Sequence, residues 1–282
     1  MFQYPEKIVI AVAPVAHVGT PMPPESKNPL SPEEVASEVI GCAAAGAAMV
    51  HLHVRNLRGD QVQDLTWYSK TIDLIRKETD IIIQGSTGGV SDLSLEERCV
   101  SVTEPRTEIA SLNMGSVNFG EGVYINTLPD IRFWLGQMEK YRVAPELEIF
   151  DFSMLSSVER LVSEGLLKEP VNYNFCLGFK GALPADPRFL WDLQSHLPEG
   201  AHWGLNNEGM EDFRLLAAAL GLGARSIRVG FEDGRSCLPG KPAPSNTFLV
   251  QKAAELVRSL GLEPASPGEA RKILGIGPEP KK

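Results

Sequence analysis

Two histidines one residue apart, His51-Leu52-His53, are the first feature of this sequence able to do chemistry. On a strand, residues i and i+2 project from one face, so the two imidazoles stand on the same side, roughly 7 Å apart along the backbone. That spacing suits two ligands to one metal ion. A catalytic zinc centre takes three nitrogen or oxygen ligands and keeps one position open, and Glu232 is the third ligand on offer. It sits in the segment IRVGFED, bracketed by Arg228 and Asp233. An arginine held beside a carboxylate keeps it ionised and oriented, which suits a general base. The segment Gln84-Gly-Ser-Thr-Gly-Gly89 adds small residues whose backbone N–H groups and hydroxyls can hold a carboxylate or phosphate. Each feature has an ordinary alternative: hydrogen-bonded histidines in a polar interior, a structural ion pair, a tight strand-to-helix turn.

These groups act together only if the fold gathers them. β-branched runs of strand length begin at Ile8, Met49, Ile81, Ile109, Glu146, Val171, His202 and Ile227. Between them lie segments of helical periodicity: 32–45, 66–78, 95–102, 128–141, 154–166, 188–196, 210–220 and 246–260. Ser31-Pro32-Glu33-Glu34 reads as an N-cap, a first-turn proline and acids that complement the helix dipole; Gly46, Gly165 and Gly221 sit where helices should stop. No composition shift marks a linker. Eight βα units predict a single (β/α)8 TIM barrel over residues 1–282, with SPGEARKILGI as a C-terminal helical extension. A doubly wound α/β sheet is the runner-up, but it needs a reversal of strand order that the even spacing does not suggest.

In a closed barrel, alternate strand residues face the helices and the interior. Val50, Leu52 and Val54 belong to the helix layer, which turns His51 and His53 inward; on the last strand Ile227, Val229 and Phe231 go out, and Arg228, Gly230 and Glu232 go in. Ser111 and Asn113 share the inward parity, as do Glu146 and Glu148. These polar groups cluster toward the C-terminal strand ends, where barrel enzymes carry their chemistry. Glu146 and Glu148 read equally well as partners that fix a histidine tautomer or as interior ion pairs with Arg55. His17, His196 and His202 read as surface or packing residues, and Trp67, Trp134, Trp191 and Trp203 as packing between helices and barrel.

Composition narrows the classes. Hydrophobic residues make up 43% of the 282, enough for a sizeable core, and 36 acidic against 27 basic side chains leave a net charge of −9. That balance disfavours nucleic acid or an anionic membrane as partner. The N-terminus has no secretory pattern and no run is long enough to span a bilayer. Cys42, Cys99, Cys176 and Cys237 are widely spaced and form no CxxC pair. The expectation is a cytoplasmic protein with reduced thiols.

HLHVR at 51–55, QGSTGG at 84–89, SLNMGSVNFG at 111–120 and IRVGFED at 227–233 together resemble the β-keto acid cleavage enzymes, whose best-known type is the 3-keto-5-aminohexanoate cleavage enzyme. The similarity runs from about Ile8 to Ile276, with the motifs in family order. The resemblance implies a zinc-dependent barrel, usually a homotetramer, that moves the acyl part of a β-keto acid onto coenzyme A, using acetyl-CoA and releasing acetoacetate. It implies His51, His53 and Glu232 as zinc ligands, and Ser86, Gly89, Ser111 and Asn113 as substrate contacts. Asp233, assisted by Arg228, is implied as the base that removes a C2 proton; the enolate then attacks the thioester, and a retro-Claisen step splits the old C2–C3 bond.

Two positions depart from the type enzyme. Ser111 replaces a threonine and keeps the hydroxyl. In the first-strand loop a neutral residue, Ala16 when matched without gaps, replaces a glutamate that would pair with a substrate ammonium. The substrate is therefore expected to be a neutral or anionic β-keto acid. The phosphates of coenzyme A have Lys180, Arg188, Arg235 and Lys241 as candidates. Competing functions are another zinc barrel enzyme, an amidohydrolase-like hydrolase or metal aldolase, and a non-catalytic ligand-binding barrel. Amidohydrolases place HxH on the first strand and need further histidines at later strand ends, which this sequence lacks.

Overall fold

In the computed structural model, which describes residues 5–88, 93–277 and 279–281, each β-branched run forms a strand. The barrel strands are β1 (Lys7–Val12), β2 (Met49–Leu52), β3 (Ile82–Gly85), β4 (Ile109–Asn113), β5 (Ala144–Ile149), β6 (Asn172–Leu177), β7 (His202–Asn207) and β8 (Ser226–Val229). Neighbours in sequence pair in parallel, and β8 pairs with β1, which closes the sheet. The helices are α1 (Pro32–Ala45), α2 (Thr66–Arg76), α3 (Leu95–Arg98), α4 (Leu128–Tyr141), α5 (Ser153–Ser163), α6 (Pro187–Ser195), α7 (Arg214–Gly221), α8 (Asn246–Ser259) and α9 (Pro267–Leu274). The (β/α)8 architecture expected from the alternation is the one the chain adopts.

Local chemistry sets the boundaries. Ser31 caps α1 by accepting from the Glu34 backbone N–H while the Glu34 carboxylate accepts from Ser31, and Gly46 ends the helix at φ 115°, a conformation that glycine adopts without a Cβ penalty. The segment expected to be helical over 95–102 is instead a single turn, α3, followed by a 3-10 turn at Val100–Thr103. The helix expected from 210 starts at Arg214, after a stretch in which the Met210 N–H is bonded to the Asp233 carbonyl. Two hairpins have no counterpart in the sequence reading: Val117–Phe119 with Gly122–Tyr124 after β4, and Ser236–Leu238 with Lys241–Pro242 after β8.

The interior is layered. Ile8, Ile10, Val12, Val50, Leu52, Leu147 and Ile149 pack outward beneath the helices. Inward, Val9, Ala11, Met49, Ile82 and Ile109 form an apolar floor, plugged from below by Ala270 and Leu274 of α9. Each large aliphatic side chain fully buried in this way stabilises the fold by about 1.5–3 kcal/mol. Above that floor the inward positions turn polar: His51, Gln84, Ser111, Glu146, Asn174 and Arg228 are all buried. Chemistry is thereby confined to the C-terminal mouth. Trp134 and Trp203 are buried as expected, whereas Trp191 is 49% exposed.

Candidate active site

The β2–β3 register sets His51 opposite Gln84. Gln84 Nε2 donates to Glu146 Oε1 at 2.8 Å, which turns its Oε1 toward His51 Nδ1, also at 2.8 Å. The proton of His51 is therefore held on Nδ1, and the Nε2 lone pair points into the barrel mouth. There it meets His53 Nε2 at 3.3 Å and Glu232 Oε1 at 3.7 Å, while His53 Nε2 lies 3.5 Å from Glu232 Oε2. The ligand atoms of His51, His53 and Glu232 all fall within 4.8 Å of one another. Burial lowers the pKa of His51 to about 3 and that of His53 in the same direction, so both rings are neutral, the state that ligates a metal. Burial opposes charge on Glu232, and the Arg228 guanidinium beside it pulls the carboxyl the other way, below its ordinary range. Two neutral imidazoles and a carboxylate form a donor set that fits a divalent transition metal. The Gln61 Nε2 lies 3.0 Å from His53 Nδ1 and donates to the Gly88 carbonyl at 2.7 Å.

Glu232 reaches the site by a different route from the one strand alternation predicts. β8 ends at Val229, and Gly230 takes φ 141° with its Cα pressed against Ala13, where a Cβ would come within 2.2 Å of the Ala13 carbonyl oxygen. Only glycine fits, and the chain then turns, with Glu232 N–H bonded to Ala13 and Asp233 N–H to Gly230. The turn carries the adjacent residues Glu232 and Asp233 into one site, which a continued strand could not do. Arg228, still on the strand, grips Asp233 with two bonds, Nε to Oδ2 at 2.9 Å and Nη2 to Oδ1, and touches Glu232 at 3.4 Å. Burial pushes the Asp233 carboxyl up against the pull of Arg228.

A cavity of about 820 Å³ opens above these groups. His51, His53, Glu232, Arg228 and Ser86 line it. Ser111 and Asn113 are buried on β4 and are not among its lining residues, although the buried Asn113 Nδ2 has no partner. Asp233 stands behind Arg228 and off the wall, and Gly89 lies outside the described residues. The donors of the glycine-rich loop are partly committed: the Ser86 hydroxyl accepts from Gly88 N–H at 3.0 Å, and Thr87 donates to the Ser111 carbonyl. Across the mouth, the hairpin after β4 and the loop after β6 bring Phe119 against Phe179 with ring centroids 5.3 Å apart.

A family model described as beta-keto acid cleavage enzyme matches residues 7–276. The chain belongs to the beta-keto acid cleavage enzyme family. A 3-keto-5-aminohexanoate cleavage enzyme of Acetoanaerobium sticklandii is 37% identical over 250 residues, covering 88% of this chain and 91% of that protein. A 3-oxoadipate:acetyl-CoA acetyltransferase of Cupriavidus necator is 33% identical over 263 residues, covering 90% and 91%. Among solved structures, ObcA in binary complex with oxaloacetate shares the fold, at 21% identity and a TM-score of 0.75, over 89% of this chain and 67% of that one.

In this member of the beta-keto acid cleavage enzyme family, Glu146 and Glu148 separate in role. Glu146 backs His51 through Gln84, a link that the sequence reading missed although it quoted Gln84 at the head of its loop motif. Glu148 lines the cavity, and among the described residues neither acid pairs with Arg55. Burial raises the Glu148 pKa from 4.5 to about 8, the nearby acids adding to it and Arg228 opposing it. Between those values the folded protein binds a proton that the unfolded chain does not, so this group makes stability fall as pH rises through the window. Urea unfolding of Glu148→Gln is expected to show a smaller loss of stability between about pH 5 and about pH 8 than wild type, with chelator in both samples. An unchanged loss would place the titrating group elsewhere.

Proposed function

We propose that this chain moves the acyl part of a β-keto acid onto coenzyme A, taking acetyl-CoA as co-substrate and releasing acetoacetate, with zinc held by His51, His53 and Glu232. The observation that carries the reading is the convergence of these three ligand atoms on the cavity floor, with the Arg228–Asp233 pair directly behind them. A bound divalent ion would supply Lewis-acid polarisation of the substrate's keto oxygen.

The chain's own residues do the rest. Gln84 and Glu146 keep the His51 lone pair facing the mouth. Ser86 on the wall, Ser111 and Asn113 beneath it, and Gly89, which lies outside the described residues, are the proposed substrate contacts, and the unpaired Asn113 amide is a donor that a substrate oxygen would satisfy. Asp233, oriented by Arg228 and raised by burial, is the proposed base for the C2 proton, since a stronger base suits a weakly acidic C–H bond. C2 then bonds to the acetyl carbonyl carbon as the thiolate of coenzyme A leaves. The thiolate adds to C3, the C2–C3 bond breaks, and C2 regains a proton to give acetoacetate and the new acyl-CoA. The names of the two curated relatives support this assignment. The hydrolase alternative loses ground because His202, the one histidine on a later strand, lies at the start of β7, away from the mouth. A homotetramer in the cytoplasm completes the proposal; its support is the family resemblance, together with four cysteines that are all buried and unpaired. No helix among the described residues is long and apolar enough to cross a membrane.

Acetoacetate tests the reading before the other substrate is known. Deuterium entry at its C2, followed by NMR in heavy water, is expected to exceed background exchange in wild type. Chelation and Asp233→Asn should each abolish the excess. Loss in Glu148→Gln with retention in Asp233→Asn would move the base to the cavity wall, and exchange no faster than background in metal-loaded wild type would sink the reading.

A further inference from the structure

The cavity has two unlike sides. The loops after β1 and β2 give it His17, Arg55 and Asp60, whereas the hairpin after β4 and the segments after β5 and β6 give it Phe119, Val123, Tyr124, Phe150 and Phe179. In the closed ring of strands β1 and β2 lie across from β5 and β6, so the polar and apolar sides face each other over the mouth. The rings form one run: Phe119 lies 5.3 Å from Phe179, Phe179 4.9 Å from Phe150, and Phe150 6.3 Å from Tyr124, centroid to centroid. Phe150 is buried, while Phe119 is 40% and Val123 52% exposed, so the apolar surface runs from inside the cavity to the rim. Glu148, two residues before Phe150 on β5, is held protonated by its burial up to about pH 8 and adds no charge to this side below that.

The hairpin is fixed at both ends. At its tip the Gly120 N–H donates to the Lys180 carbonyl at 2.9 Å, and Gly181, at φ 96°, lies so close that a Cβ would come within 2.8 Å of the Asn118 Cβ. At its neck the buried Arg98 donates from Nη1 to the Ile125 carbonyl at 2.7 Å and from Nη2 to Asn126 Oδ1 at 2.5 Å, and the Asn126 N–H donates to Ser116 Oγ at 2.8 Å. The Arg98 guanidinium also lies over the rings of Tyr124 and Trp134, 5.1 and 4.3 Å from their centroids. Arg98 thus ties the wall to α3 and α4, outside the cavity's floor.

Acyl transfer needs both substrates in this cavity, and about 820 Å³ is the size that holds a drug-sized ligand rather than a short keto acid alone. The keto acid is charged, and its reacting carbons belong at the metal trio. The arm that joins the thioester of acetyl-CoA to its nucleotide is long, uncharged and partly apolar, and it leaves by the mouth. An apolar surface that continues to an exposed rim is covered by such an arm and not by a charged tail. We propose that the aromatic wall seats the pantetheine arm of acetyl-CoA, and that Arg98 is the positioning residue that holds this wall in place. The proposal rests on the cleavage reading above.

Acetoacetate and acetyl-CoA labelled with carbon-13 in its acetyl group test it without the natural keto acid, because their reaction is degenerate. C2 of acetoacetate bonds to the labelled carbonyl carbon as the thiolate leaves, the thiolate adds to the old C3, and the C2–C3 bond breaks. Unlabelled acetyl-CoA and labelled acetoacetate result. In metal-loaded enzyme, NMR follows this transfer beside deuterium entry at C2, which needs no coenzyme A. Phe119→Ala, at an exposed position where folding is not at stake, should raise the half-saturating acetyl-CoA concentration about tenfold, and Phe119→Leu should restore most of the loss. Arg98→Met keeps an apolar stem but loses the fork, and should lower transfer relative to exchange by about ten- to a hundredfold. If Arg98→Met does not fold, Phe119→Ala decides alone. An unchanged half-saturating acetyl-CoA concentration in the folded variants overturns the inference, and so does a rise confined to acetoacetate, which would give the wall to the keto acid. The two failures are distinguishable: wild type that exchanges deuterium but transfers no label removes coenzyme A and its arm, whereas no exchange at all removes the cleavage reading itself.

Discussion

Replacing His51 by alanine is expected to strip the metal from the protein and to lower acyl transfer on the order of a thousandfold, the scale of losing a preorganised charge at the reacting oxygen. His51 is the best-oriented of the three proposed ligands. Its Nδ1 is fixed by Gln84, Gln84 is fixed by Glu146, and its neutral ring presents Nε2 to Glu232. Without it, two donors remain, too few to hold a tetrahedral ion against water. Gln84→Ala should be milder, about ten- to a hundredfold in metal affinity, because the ligand survives and only its orientation loosens. Metal content after gel filtration and titration with zinc would rank the variants, with urea unfolding as a check that each is folded. A His51→Ala protein that keeps one metal per chain would move the centre elsewhere, and equal losses in both variants would mean that orientation rather than ligation is at stake.

Much of this site was legible because strand alternation is a strict physical rule. His51 and His53 point inward because Val50 and Leu52 must cover the helix layer, and that argument needs no coordinates. The rule ended where the strand ended. Gly230 leaves the sheet against the backbone of Ala13, so Glu232 and Asp233 arrive by a turn; alternation named the right residue for a reason that does not operate. The same limit applies to His17, which lines the cavity mouth from a proline-rich loop that has no period to read. Gln84 was visible as a residue but not as a partner, because the β2–β3 register is a property of the closed barrel. The hairpin that carries Phe119 is too short to leave a periodic trace.

The opposite end of the barrel supplies the second large effect, and it too depends on residues distant in sequence. Arg271 of α9 is fully buried, with Nε and Nη2 donating to the two oxygens of Glu108 at 2.7 and 3.0 Å and Nη2 also to the Asp80 carbonyl at 2.7 Å. Arg76 adds a third bond to Glu108 at 2.8 Å. One carboxylate at the foot of β4 thus bonds two arginines, with Asp80 Oδ2 3.7 Å from Arg271 Nη1 as a second counter-charge, and ties the plug helix to the barrel floor. Glu108→Gln leaves Arg76 without its paired carboxylate and Arg271 with only the more exposed Asp80, 3.7 Å from its Nη1, and the expected cost is about 3–5 kcal/mol in urea unfolding, little affected by salt because the Arg271–Glu108 pair is dry. Arg271→Met should cost less, since Arg76 still balances Glu108 and the thioether fills part of the space. The double variant Glu108→Leu with Arg271→Met should recover part of the stability lost in Glu108→Gln alone, because the fully buried Arg271 charge is gone and only Arg76, which is partly exposed, is left without its partner. Zinc affinity should stay near wild type in all three folded proteins, as the apolar floor separates this cluster from the mouth. A Glu108→Gln protein within about 1 kcal/mol of wild type would show that water reaches the arginines and screens them, and the ion pair would then count as a surface one.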